Sequence, residues 1–186
     1  MKKVAFDFDG VICDSLSFLC QKAMEVYGVR LEPSQVNTWR LYQCSDLTEE
    51  QEYALLREFL KSEYADQWKP VPGAKEALQS LPQKAIIVSQ RYPHQDPSPF
   101  LEKLGIDFDL YMVEKYEDKL KVLKDLGTEI FFEDRPETIK LLSKHLDVAK
   151  FEHLYNQGFF GEKWSVKRWE EAKQILQPLK KKKCKS

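Results

Sequence analysis

The sequence predicts an α/β fold: a parallel sheet covered by helices on both faces, with a small helical segment inserted after the first strand. Three observations carry this reading. Short, near-continuous apolar runs (Val4–Phe8, Ala85–Val88, Leu110–Val113, Glu129–Phe132 and Val148–Phe151) alternate with stretches of helical periodicity. Runs of that kind mark strands buried on both faces, which is the condition of a parallel sheet under helices. Three of the runs end in polar residues, at Asp7 and Asp9, at Ser89, and at Glu133 and Asp134. In open parallel sheets ligands bind outside the carboxyl ends of the strands.

Taken in order, Val4–Phe8 is the first strand. Ser15–Tyr27 follows with apolar residues at helical spacing (Leu16, Leu19, Cys20, Ala23, Val26), Asp14 or Ser15 as N-cap and Gly28 as C-cap. Residues 31–70 are polar, acidic and rich in helix formers. They show helix starts at Pro33-Ser34 and Leu47-Thr48-Glu49-Glu50 and no strand signal. Pro70-Val71-Pro72-Gly73 ends this insertion. A helix over Ala74–Leu81 leads to the strand that stops at Ser89. The three prolines of residues 92–99 make a loop, and a helix over Phe100–Leu104 closes at Gly105. Strand 110–113, helix Lys119–Leu126, strand 129–132 and helix Glu137–Lys144 follow, the last with Pro136 in its first turn. Residues 148–151 are read as the last strand, and Trp164–Leu176 holds the last helix.

The chain has 186 residues, 42% hydrophobic and 32% charged, with a net charge of −1. That length and balance suit one globular core with a small insertion, and give no general attraction to nucleic acid; no stable nucleic-acid partner is expected. Residues 180–186 hold five lysines and read as a solvated, disordered tail. Asp7 and Asp9 break the apolar stretch behind Lys2-Lys3 too early for a signal peptide, and no apolar run reaches the ~18 residues of a membrane span. Cys13, Cys20, Cys44 and Cys184 form no C-x-x-C pair, so reduced thiols and a cytoplasmic location are expected. Cys13 and Cys20, seven apart, suit one helical face.

The chemistry centres on Asp7-Phe8-Asp9-Gly10. In an extended strand the two carboxylates leave on the same side with Cα atoms about 6.6 Å apart. Burial sharpens their repulsion, which a cation between them or an open strand end relieves. A third carboxylate from another strand completes an oxygen-only donor set that suits Mg²⁺ with a substrate phosphate, and no Cys/His cluster competes for zinc. Ser89 and Gln90 at a neighbouring strand end, and Lys119 or its rival Lys115, are candidates for the phosphate. With metal present, Asp7 can attack phosphorus and form an aspartyl phosphate, while Asp9 protonates the leaving oxygen and then activates water. The insertion aromatics Trp39, Tyr42, Tyr64 and Trp68 either stack on a substrate base or pack internally. His94, His145 and His153 receive no role.

Asp7-Phe8-Asp9-Gly10-Val11, Val88-Ser89, Lys119 and Glu133-Asp134 resemble, in order, the four motifs of the haloacid dehalogenase superfamily. Within it, Phe131–Thr138, Tyr155-Asn156 and Trp169-Glu170-Glu171 resemble the 5′(3′)-deoxyribonucleotidase group and its bacterial relatives. The resemblance implies a Rossmann-like core over residues 1–14 and 71–179, a helical cap over 15–70, and a Mg²⁺-dependent phosphomonoesterase acting on nucleoside 5′-monophosphates. It implies Asp7 as nucleophile, Asp9 as acid/base with its carbonyl on the metal, and Asp134 as metal ligand. Glu133 stands where that group usually has an aspartate, and a supporting role behind the ligands is expected for it. The alternatives are another small phosphometabolite as substrate, or a regulatory protein that binds phosphate or metal without turnover.

Overall fold

A computed structural model describes residues 2–159 and 161–176. The lysine tail expected at 180–186 lies outside the described residues. Among these residues six strands form one parallel sheet: β1 (Val4–Phe6), β2 (Ala85–Gln90), β3 (Phe108–Val113), β4 (Ile130–Glu133), β5 (Asp147–Phe151) and β6 (Trp164–Val166). Their order is β3-β2-β1-β4-β5-β6. The chain reverses its direction of travel across the sheet between β1 and β4, and in such sheets the carboxyl ends of the strands at that point are where ligands bind.

The apolar runs bury both faces, as their composition requires. Phe6, Ile87, Phe132 and Phe151 join one core cluster, and the alternate residues Ala5, Ile86, Val88, Phe131 and Val148 join another. On the first face Trp169 of helix α7 (Trp169–Leu176) is fully buried against the rings of Phe6, Phe132 and Phe151. Its indole N–H donates to the Val11 carbonyl at 2.9 Å, which ties the last helix to the loop after β1. On the second face lie α5 (Asp118–Asp125) and α6 (Pro136–Leu142), through Leu123, Ile139 and Leu142.

The final helix lies within 164–176 as expected, beginning at Trp169, but a strand beyond 148–151 was not expected: Trp164–Val166 is the edge strand β6, paired with β5. Cys13 lies before the first helix, α1 (Ser15–Tyr27), so it does not share a helical face with Cys20. Cys13, Cys20 and Cys44 are free thiols.

Residues 15–70 contain α1, α2 (Glu49–Phe59) and short 3-10 turns; α3 (Ala74–Gln79) precedes β2 and α4 (Ser98–Lys103) precedes β3. Thr48 and Gln51 form a capping box at the start of α2, as the Leu47-Thr48-Glu49-Glu50 pattern predicts. The outgoing and returning chains are bonded, Asp14 N–H to the Lys69 carbonyl and Val71 N–H to the Ile12 carbonyl, both at 2.8 Å. The insertion has its own apolar cluster, including Leu19, Leu31, Leu41, Leu47 and Leu55, and Tyr155 from beyond β5 is the residue outside the insertion that joins it.

Candidate active site

Side-chain alternation carries Asp7 onto the face of Ala5, and Glu133 onto the face of Phe131, where α5 lies. Lys119, in the first turn of α5, meets them there. Its Nζ stands 2.9 Å from Asp7 Oδ1 and 2.9 Å from Glu133 Oε2, and it is 2% exposed. Lys115 is exposed, so of the two lysines it is Lys119 that the fold brings to the strand ends. Glu133 is fully used: its Oε2 takes Lys119, and its Oε1 accepts the N–H groups of Asp134 and Arg135, each at 3.0 Å. Asp7 Oδ1 also accepts the Phe8 N–H at 2.8 Å. No hydrogen bond among the described residues falls on Asp7 Oδ2.

Asp7, Glu133 and Asp134 each offer a carboxylate oxygen, all within 4.8 Å of one another. Three buried carboxylates facing one buried ammonium leave two negative charges uncompensated. Burial accordingly pushes the Asp7 carboxyl well above its usual range, with the neighbouring Glu133 charge adding to the effect and Lys119 opposing it. Burial raises Glu133 as well, and raises Asp134 to about 7 with help from the Asp7 charge. Lys119 is held above its ordinary value by the same two carboxylates, which outweigh its desolvation.

Asp9 lies beyond β1 and has a cation of its own. Both its oxygens are taken by Arg91, Nε to Oδ2 at 2.9 Å and Nη2 to Oδ1 at 2.6 Å. Arg91 is buried between the rings of Phe8 and Trp68 and also donates to the carbonyls of Leu60 and Gln95. The repulsion between Asp7 and Asp9 is therefore relieved by two separate cations, Lys119 and Arg91, rather than by one shared between them. Ser89 is 1% exposed at the end of β2, and its hydroxyl has no partner among the described residues. The Gln90 side chain turns outward: its amide donates to the Glu114 carbonyl and accepts from Arg135.

Gly10 has φ 71°, in the left-handed region. A Cβ there would overlap the Asp134 carboxylate and sit 3.1 Å from the Tyr155 hydroxyl. Asp134 Oδ2 accepts a hydrogen bond from Tyr155, while its Oδ1 is buried without a partner among the described residues. Asn156 Nδ2 donates to the Asp134 carbonyl at 2.7 Å, and His153 Nε2 lies 2.7 Å from the Gly10 carbonyl. The sequence assigns no contact to His153, Tyr155 or Asn156. A histidine, a tyrosine and an asparagine within four residues just after a strand were the signal available.

Of the insertion aromatics, Trp68 packs in the main core against Phe8 and Phe100, and Tyr64 packs against Phe59. Trp39 reaches the site side, edge-on to Tyr155 at 5.3 Å and with the Arg135 guanidinium 5.4 Å from its ring centroid.

A parallel sheet in this strand order, with acids at the ends of β1 and β4 and a helical insertion after β1, agrees with the haloacid dehalogenase-type fold that the motifs imply. Solved structures agree on the fold. A haloacid dehalogenase-like protein of unknown function from Agrobacterium tumefaciens has TM-score 0.65 at 19% identity, covering 97% of this chain and 100% of that one. A subfamily IA superfamily hydrolase from Geobacter sulfurreducens has TM-score 0.57 at 18% identity, covering 95% and 96%. No curated protein matches the sequence. The family described as 5′ nucleotidase, deoxy (pyrimidine), cytosolic type C protein matches residues 1–184, and the chain belongs to that family. It is a phosphoric monoester hydrolase. No helix among the described residues is long and apolar enough to cross a membrane.

Proposed function

We propose that the protein is a Mg²⁺-dependent, cytoplasmic phosphatase of nucleoside 5′-monophosphates, with residues 15–70 as a cap over a core of 1–14 and 71–179. The observation that carries the reading is the buried trio Asp7, Glu133 and Asp134 with two charges uncompensated and one oxygen of Asp134 unpartnered. An all-oxygen donor set with that deficit fits a hard divalent cation. Asp134 Oδ1 and a carboxylate oxygen of Asp7 would hold it; Glu133, whose oxygens are both engaged, supports Lys119 and the β4 turn instead. Bound there, the cation would neutralise phosphate charge and polarise the phosphoryl group. The substrate class is supported by the family's own description, which names a pyrimidine deoxy 5′-nucleotidase.

Asp7 Oδ2 is the oxygen left for attack, because Lys119 and the Phe8 N–H hold Oδ1. It bonds to phosphorus as the ester oxygen departs, and Asp9 gives that oxygen a proton. Water then attacks the aspartyl phosphate, returns a proton to Asp9, and frees phosphate and Asp7. Asp9 must release one oxygen from Arg91 to take part. The free Ser89 hydroxyl suits a phosphate oxygen, with the Gln90 backbone beside it at the strand end.

The test is phosphate release with Mg²⁺ across nucleoside monophosphates and sugar phosphates, beside Asp7→Asn. The expected result is release from nucleoside 5′-monophosphates that Asp7→Asn abolishes. Release confined to sugar phosphates overturns the substrate class, and full activity in Asp7→Asn overturns the nucleophile.

A further inference from the structure

We propose that Tyr155 is a positioning residue that holds Asp134 ready for the cation and ties that carboxylate to the packing of the 15–70 insertion. The proposal rests on Asp134 being a metal ligand, as argued above, and adds what controls it.

Tyr155 sits in the short turn Leu154–Asn156 that follows β5 and is 6% exposed. Its hydroxyl donates to Asp134 Oδ2, and the other oxygen, Oδ1, stays buried and free of any partner among the described residues. One oxygen is thus restrained and one presented. The same turn fixes the backbone of Asp134, because Asn156 Nδ2 bonds the Asp134 carbonyl at 2.7 Å and the Phe151 carbonyl at 2.8 Å. On one side the Tyr155 ring stacks on His153, with centroids 5.0 Å apart and planes within 5°. On the other, Trp39 of the insertion meets it edge-on at 5.3 Å.

The ring therefore has two attachments. Its hydroxyl end serves the carboxylate at the end of β4, and its apolar body is packed with the insertion's Leu19, Leu41 and Leu55. Tyrosine suits this place because it joins a large apolar surface to one polar tip. A shift of the insertion displaces the ring, and with it the hydroxyl that orients Asp134. By linkage, a cation that prefers the held carboxylate also favours the packed insertion. Groups that orient metal ligands in this way contribute about 10–100-fold to metal affinity.

The experiment is calorimetric titration of the full chain with Mg²⁺ alone, comparing wild type, Tyr155→Phe and Trp39→Ala, with melting curves taken without metal. Tyr155→Phe keeps the ring and removes the hydroxyl. Its Mg²⁺ affinity is expected to fall by about 10–100-fold, with a metal-free melting temperature close to wild type and turnover that recovers at excess Mg²⁺. A purely structural role would lower the melting temperature and leave turnover unrecovered by Mg²⁺. Trp39→Ala touches no atom of Asp134, yet it is expected to weaken Mg²⁺ severalfold through the ring. Unchanged or tighter binding in Tyr155→Phe overturns the positioning role. Unchanged binding in Trp39→Ala overturns the tie to the insertion. A wild type that binds no divalent cation overturns the metal reading beneath both.

Discussion

Replacing Lys119 with methionine keeps an unbranched, largely apolar side chain and removes the ammonium that faces Asp7 and Glu133 at 2.9 Å each. The three carboxylates at the strand ends then have no buried cation against them. Removing one partner of a buried ion pair costs about 3–5 kcal/mol. For a chain of this size about 2–4 °C of melting temperature goes with each kcal/mol, so a drop of about 6–20 °C is expected at neutral pH. The pH dependence has a definite sign. Lys119 is held above its ordinary value of 10.5 in the fold, so its contribution is complete at neutral pH and is lost only as pH rises through that raised value. Burial pushes Asp7, Glu133 and Asp134 up, so they take protons early on acidification and lose the charge that Lys119 balances. The gap between wild type and variant therefore narrows as pH falls from neutral toward the usual carboxylate range. Scanning calorimetry without divalent cations at several pH values measures it. A variant that melts with the wild type at neutral pH, or a gap that widens on acidification, refutes the electrostatic reasoning.

Mg²⁺ binding should release protons and weaken as pH falls below about 7, the value to which Asp134 is raised, because the ligand must be ionised; calorimetry in two buffers of different ionisation enthalpy counts the protons. Asp9→Asn should lower phosphate release by about 10²–10⁴-fold, since general acid–base help is of that order, and should also lower the melting temperature, because it removes the charge paired with the buried Arg91. Gly10→Ala should cost about 1–2 kcal/mol for a left-handed backbone alone, and should also abolish Mg²⁺ binding by displacing the Asp134 carboxylate. Trp169→Ala empties a fully buried site among Phe6, Phe132 and Phe151 and should cost about 3–5 kcal/mol in denaturant unfolding.

The parts of this protein that could be read from sequence are those written locally. The apolar runs of β1, β2 and β4 state a sheet buried on both faces, and their polar ends state where a ligand binds. Thr48 and Gln51 cap α2 within four residues of one another. The rest depends on long-range packing. Trp164–Val166 is three residues long and only Val166 is buried, so it gives no strand signal until β5 is placed beside it. Arg91 lies 82 residues from Asp9, and Tyr155 lies 21 from Asp134; nothing in either local pattern names the partner. β1 itself ends at Phe6, so Asp7 and Asp9 lie just beyond it, each with its own cation, Lys119 and Arg91.

The central claim is that Asp7 carries the phosphoryl group between a nucleoside 5′-monophosphate and water. Rapid acid quench of the Mg²⁺-loaded protein turning over a radiolabelled nucleoside 5′-monophosphate, followed by peptide mapping, tests it most directly. Label is expected on the peptide containing Asp7, and none in Asp7→Asn. Label on another residue, or phosphate release at the wild-type rate by Asp7→Asn, would contradict it.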